Sequence, residues 1–302
     1  MDFSRIRQSL REPTVERRHL SAERPPGRIG TALLFSLTGS LTIVVFSQYR
    51  PVLTGVSDLL GRIGLMSVLL VATLMVRRSG SLQHHTHVLF GLFTMACAVS
   101  LDWWTARFIL DSLGGYPNTP GGLALEKLKT AAVVAIAIIA LTRSSGNSLS
   151  SIYVQRGDLK RGLTIGLIAF GLAAAGSIPM SQLMFAGDDI SLAEVLRWAP
   201  WILIAVLANA ANEELLFRGL FLRKLEPFYG KFLSNCLVVL AFTGLHLGVT
   251  YTRDEMLFLI VVVPLALVWG YVMQRTDSVW GSILFHAGTD IPVFLAIFST
   301  RF

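Results

Sequence analysis

The stretch Ala208-Asn209-Ala210-Ala211-Asn212-Glu213-Glu214-Leu215-Leu216-Phe217-Arg218-Gly219 decides how the chain is read. It continues the apolar run 198–207 with no proline or glycine between Trp201 and Phe217, so one helix is expected to carry both parts. Two adjacent carboxylates deep in such a helix are costly, and an ionisable group inside a membrane is by default a functional hypothesis. Glu214 and Arg218 are four residues apart with the acid first, the favoured order for an ion pair on one helix face. Glu213 points about 100° away, toward a different neighbour. One glutamate can therefore be neutralised by Arg218 while the other is left for chemistry. The competing reading is a helix end at the cytoplasmic interface, with its charges reaching into the headgroups.

Working outward, 53% of the 302 residues are hydrophobic and 15% are charged, where a soluble domain would carry about 25% charged residues. Apolar spans fall near 29–49, 63–76, 88–106, 123–142, 162–186, 195–217, 232–250, 256–273 and 279–299. Most approach the roughly 20 residues needed to cross a hydrocarbon core. The expected fold is all-α: a polytopic transmembrane bundle of about nine helices. The chain divides into a polar basic arm (1–28), a four-helix half (29–142), a cytoplasmic linker (143–161) and a C-terminal core (162–302). The arm is broken by Pro13, Pro25 and Pro26, and no small-residue cleavage site follows the first span, which reads as retained.

The net charge of +7 points to the lipid bilayer and not to nucleic acid, because of where it sits. Most basic residues, among them Arg5, Arg7, Arg77, Arg78, Arg156, Lys160, Arg223 and Lys231, fall in segments on one side if the N-terminus is cytoplasmic. Asp188, Asp189 and Glu194 fall on the other. This asymmetry places the N-terminus inside and the C-terminus outside, with the basic side touching anionic headgroups. Cys97 and Cys236 lie in apolar spans and imply neither a disulfide framework nor a thiolate metal site. His84, His85 and His87 crowd one turn, which reads as a solvated basic loop. Asp102, Trp103, Trp104, Arg107 and Asp111 read as an outer interface belt, with Asp102 and Arg107 near one another but not at helical spacing.

The last helices carry further polar groups. Phe242 and His246 are four apart, as are His286 and Asp290, so each pair shares a helix face. A lone histidine in an apolar helix is most often a packing residue. Two histidines, an aspartate and two glutamates in separate spans are different, because polar groups in a bundle face inward and seek each other. Glu213 lies 14 residues before the turn Pro227-Phe228-Tyr229-Gly230 and His246 lies 16 after it, a height mismatch of about 3 Å in an antiparallel hairpin. Glu213 and His246 can thus face one another. His286 sits about 12 Å up the last helix by the same rise.

The ordered set Glu213-Glu214-x-x-x-Arg218, Phe242-x-x-x-His246 and His286-x-x-x-Asp290 resembles the three motifs of the CPBP family, the CAAX-protease and bacteriocin-processing or Abi-type glutamic intramembrane proteases. The resemblance covers about residues 160–300; the first half shows no family signature. It implies an endopeptidase of the prokaryotic inner membrane acting on a membrane protein or peptide, lipidated or not, through a catalytic water. By that resemblance Glu213 is the general base, His246 positions or shares its proton, and His286 with Asp290 stabilises the oxyanion. Glu214 and Arg218 form the charge-balancing pair, and Phe242 and Asn209 support the site. Relatives often have asparagine at the position of Asp290; an ionised aspartate cannot donate a hydrogen bond, so Asp290 is either protonated or orients His286 as its acceptor. Carboxylate-based chemistry of this kind is sound, since a positioned base and a preorganised donor set are what peptide hydrolysis needs.

The resemblance implies no metal or other cofactor. Two histidines and two glutamates could still suggest a metalloprotease, but there is no His-Glu-x-x-His motif and the ligands would come from three helices. A non-catalytic membrane scaffold, immunity factor or transport partner on the same bundle is the other alternative. A transporter fits less well, for want of repeat symmetry or paired broken helices. Gly244 and Gly248 are expected to permit close helix approach beside the site.

Overall fold

The computed structural model describes residues 27–45, 52–187 and 189–302. The basic arm, apart from its last two residues, and Asp188 of the acidic outer loop lie outside the described residues. Helices α1 (Arg28–Val45), α2 (Gly55–Arg78), α3 (Thr86–Trp104) and α4 (Pro120–Ser144) form the first half. Helices α5 (Leu159–Ala175), α6 (Ser177–Met184), α7 (Leu192–Glu213), α8 (Leu220–Leu245), α9 (Glu255–Thr276) and α10 (Trp280–Arg301) form the second. No strand forms among the described residues; an isolated bridge joins Phe185 and Thr252. The protein is an all-helical, polytopic membrane bundle.

Five helical runs among the described residues are long and apolar enough to cross a membrane, or six if α5 and α6, bent by 64°, make one span. One of these runs, Leu192–Leu245, is 54 residues long and holds two of the passages read from sequence. It folds back at Gly230 (φ 74°, ψ 176°), the last residue of the expected turn, a backbone state that glycine tolerates. Outward-facing leucines such as Leu37, Leu183 and Leu240 are exposed, as lipid contact requires. The seventh span closes at Leu245, earlier than its hydropathy suggests, because Gly248 (φ 86°) turns the chain.

Local chemistry sets the helix starts. Ser191 and Glu194 form a reciprocal capping box on α7, and Thr119, Asp158 and Asp254 cap α4, α5 and α9 through their side chains. Helix α2 begins eight residues before its apolar span because Asp58 and Arg62 pair at 3.0 Å while buried, with the guanidinium 4.7 Å over Trp103. Asp102 pairs with Lys129 at 2.7 Å, and Arg107 with Asp111 at 3.0 Å. The interaction considered for Asp102 and Arg107 therefore gives way to two others: Arg107 finds an acid four residues on, and Asp102 is buried against α4. His85 is also not solvated. Its ring packs 5.4 Å from that of Phe228 and is buried.

The linker is tied down at both edges. The Tyr153 hydroxyl donates to Glu226 at 2.9 Å, and the Gln155 amide donates to the Asp277 carboxylate at 2.6 Å. Arg223 stacks 4.1 Å over the Tyr153 ring and pairs with Asp277. Burial pushes the Tyr153 phenol well above its usual range, which keeps it a donor.

Helices α5 and α10 meet through glycine. A Cβ at Gly281 would lie within 2.7 Å of the Gly162 backbone, one at Gly166 would lie 2.7 Å from the Gly281 carbonyl, and one at Gly288 would lie 2.5 Å from the Phe170 Cα. Helix α10, which carries His286 and Asp290, is seated by this backbone-to-backbone contact. Close approach does not occur at Gly244, where a Cβ would meet nothing within 4 Å. Gly281→Val is therefore expected to lower stability by about 1–3 kcal/mol through overpacking. Gly244→Ala should leave the melting temperature near the parental value; thermal unfolding of both variants in detergent checks this.

Candidate active site

Glu213 is the last residue of α7, and Glu214 opens a wide π-helical turn, Glu214–Gly219, that leads into α8. Such turns are frequent at functional sites. The two carboxylates diverge from this junction. Glu214 is fully buried and meets Arg218, also fully buried, at 2.7 Å. It accepts from the Ser282 hydroxyl at 2.5 Å and from His286 Nδ1–H at 2.9 Å. Arg218 donates to the Ala266 carbonyl at 3.3 Å, and its guanidinium lies 4.6 Å from the Phe242 ring and 5.1 Å from the Trp269 ring. One buried ion pair thus gathers α7, α8, α9 and α10.

Glu213 keeps 14% of its side chain exposed and faces a cavity of about 330 Å³. One of its oxygens accepts from the Asn209 amide at 3.1 Å. The other, Oε2, is buried, has no hydrogen-bond partner and lies 3.5 Å from His286 Nε2. The same Asn209 amide donates to Asp290 Oδ2 at 3.0 Å, while Asp290 Oδ1 stands 3.5 Å from His286 Nε2. Asn209, Glu213, His286 and Asp290 form one connected group across α7 and α10.

His246 caps α8 and lines the same cavity. Its Nδ1 lies 2.9 Å from the Phe242 carbonyl, so Nδ1 carries the proton and Nε2 stays free to accept. The ring packs 4.6 Å from Phe242, which in turn sits edge-on to His286 at 5.8 Å. Phe242 is therefore a spacer between the two histidines and a wall for Arg218.

All eight residues singled out from sequence converge here. Sequence reasoning missed two. Trp269 stacks on His286 at 3.8 Å and 10° and fixes its plane. Ser282 reaches the Glu214 carboxylate and the Trp269 carbonyl at 3.0 Å. Ser282 lies one turn before His286 on the same face, a spacing that could have flagged it; Trp269 in its apolar helix carries no such signal.

Breaking the buried pair by Arg218→Met would strand Glu214 and should cost roughly 3–5 kcal/mol. Glu213→Gln keeps the Asn209 contact and should stay within about 1 kcal/mol of the parent. Thermal unfolding in detergent distinguishes the two; equal losses would contradict the division of labour between the neighbouring glutamates.

Residues 195–292, which contain every one of these residues, match a family model described as type II CAAX prenyl endopeptidase Rce1-like. No curated protein and no solved structure matches the chain. At the coarse level the match indicates a membrane-embedded protease, a hydrolase working within the lipid bilayer on a membrane-associated substrate. The resemblance carried by the three sequence motifs is thus met by a second comparison: residues 195–292 of this membrane protein are similar to the Rce1-like type II CAAX prenyl endopeptidases.

Proposed function

We propose that the protein is a glutamic intramembrane endopeptidase that cleaves a membrane-associated or lipidated protein or peptide. The observation that carries this reading is Glu213 Oε2: a buried carboxylate oxygen without a hydrogen-bond partner, at the wall of an apolar cavity and beside a histidine nitrogen. A carboxylate so placed can take a proton from a water at the cavity wall. The water oxygen bonds to the scissile carbonyl carbon, and the carbonyl electron pair moves onto its oxygen. His246, with Nε2 free, shares the proton; as the C–N bond breaks, the proton passes to the leaving amine. His286, with Nδ1–H held by Glu214, carries a second proton on Nε2 and supplies that N–H as the donor to the oxyanion. Asp290, which accepts from Asn209 and faces His286, acts as the orienting acceptor and not as an oxyanion donor.

The activity is proposed to need no metal. The donor set supports this, because Glu214 and Asp290 are engaged by Arg218, His286 and Asn209 and do not converge on one point. The charge asymmetry supports an N-terminus in the cytoplasm. The apolar cavity walls suit an extended apolar segment of the substrate.

The test compares protein termini in membranes of cells carrying the parent or Glu213→Gln at equal expression. New termini that vanish with Glu213→Gln, a loss of at least about 10²-fold, and that persist with a chelator present, are the expected result. Termini that survive Glu213→Gln would overturn the mechanism. Sensitivity to the chelator would favour a metalloprotease, and no difference at all would favour a non-catalytic scaffold.

A further inference from the structure

Among the described residues the cavity beside Glu213 is lined by one lysine and no arginine, and the lysine comes from the first half of the protein. Lys127 lies on α4, which packs along α7. The register of that packing is set where Gly121 abuts Trp201: a Cβ there would lie 3.4 Å from the indole. Equal rises from this contact bring Lys127 level with Leu207, close to Asn209. Its ammonium rests 5.9 Å from the Phe294 ring centroid, and Phe294 sits one turn beyond Asp290 on α10. Lys127 makes no ion pair or hydrogen bond among the described residues. Asp290, one turn before Phe294, is held by Asn209 and faces His286.

A half-buried cation against an aromatic ring and apolar walls has lost much of its hydration without gaining a counter-charge. An anion entering the cavity meets it within about one helical turn of the catalytic carboxylates. We infer that Lys127 is a specificity-determining residue that binds a carboxylate borne by the peptide substrate near its scissile bond. This rests on the proposed peptidase reading. Much of the remaining cavity lining, with Met180, Met184, Phe185 and Phe258 among it, is apolar. The ion pair forms only when substrate fills the cavity, so its worth is spent on selecting peptides whose carboxylate reaches it. It also gives the first half, which carries no family motif, a direct part in the site.

Binding can be tested without hydrolysis. The full-length Glu213→Gln protein in nanodiscs is titrated with a fluorescent apolar pentapeptide of valine and leucine, ending either in a free carboxylate or in an amide. The carboxylate form should bind about tenfold more tightly, as a charge-assisted contact allows. Lys127→Met should abolish the preference, and Lys127→Arg should keep most of it. The pattern should be the same in phosphatidylcholine and phosphatidylglycerol nanodiscs. Equal affinity for the two peptides, or a preference that survives Lys127→Met, overturns the inference. So does a Lys127 effect equal for both peptides and confined to phosphatidylglycerol, which would assign the lysine to a lipid phosphate. All arms read binding with the catalytic base removed, so failure here is separable from failure of the peptidase reading, which is read from protein termini.

Discussion

Everything in the C-terminal core is arranged around the ion pair of Glu214 and Arg218. Two charges removed from water are tolerable only if their remaining donors and acceptors are filled. The fold fills most of them: Ser282 and His286 from α10, the Ala266 carbonyl from α9, and the rings of Phe242 and Trp269 above the guanidinium, with Arg218 Nε left without a hydrogen-bond partner. The pair therefore acts as a register pin. A helix that shifted by one residue would lose its contact and leave a charge stranded in an apolar layer. In a bundle surrounded by lipid, where burial of apolar surface discriminates weakly between packings, such a polar constraint is a strong source of specificity.

Pinning Glu214 also determines what Glu213 can do. The π-helical turn that opens at Glu214 lets neighbouring residues serve opposite ends, one in a saturated polar network and the other at a cavity wall. His286 joins the two, with Nδ1 on the structural carboxylate and Nε2 toward the free one. Trp269 stacks on its face and holds the ring plane. The Glu213 carboxylate is thus oriented by the element that holds the helices together, which keeps one of its oxygens in place without a partner.

Much of this was legible in the sequence because it is local. Hydropathy located the helices, the i, i+4 spacings paired Glu214 with Arg218 and His286 with Asp290, and Pro227–Gly230 marked the hairpin. What stayed hidden is contact between elements far apart in the chain. Nothing near residue 269 announces that Trp269 will lie on His286. The glycine seam between α5 and α10 needs both helices to be seen, and Gly244, nearer the motifs, drew attention that the seam deserved. His85 looked solvated because its partner, Phe228, is distant in sequence. The polar start of α2 was lost to a hydropathy window that Asp58 and Arg62 dilute, although they neutralise each other.

The placement of the cavity follows from the same asymmetry. On one side the Glu214 network and the packed rings of Phe217 and Phe242, edge to face at 5.3 Å, close it off. On the other its wall is the bent pair α5 and α6, where Leu172, Gly176, Met180 and Met184 line it while Leu183 faces out. That wall is a single layer of helix, broken at Gly176. A carboxylate in such a place is shielded from bulk water yet only one helix from lipid. A substrate already in the membrane needs to cross far less protein than one arriving from solution. A water-based reaction inside a bilayer requires this compromise: a polar centre held rigidly from behind, and an apolar front thin enough for a membrane-bound chain to reach it.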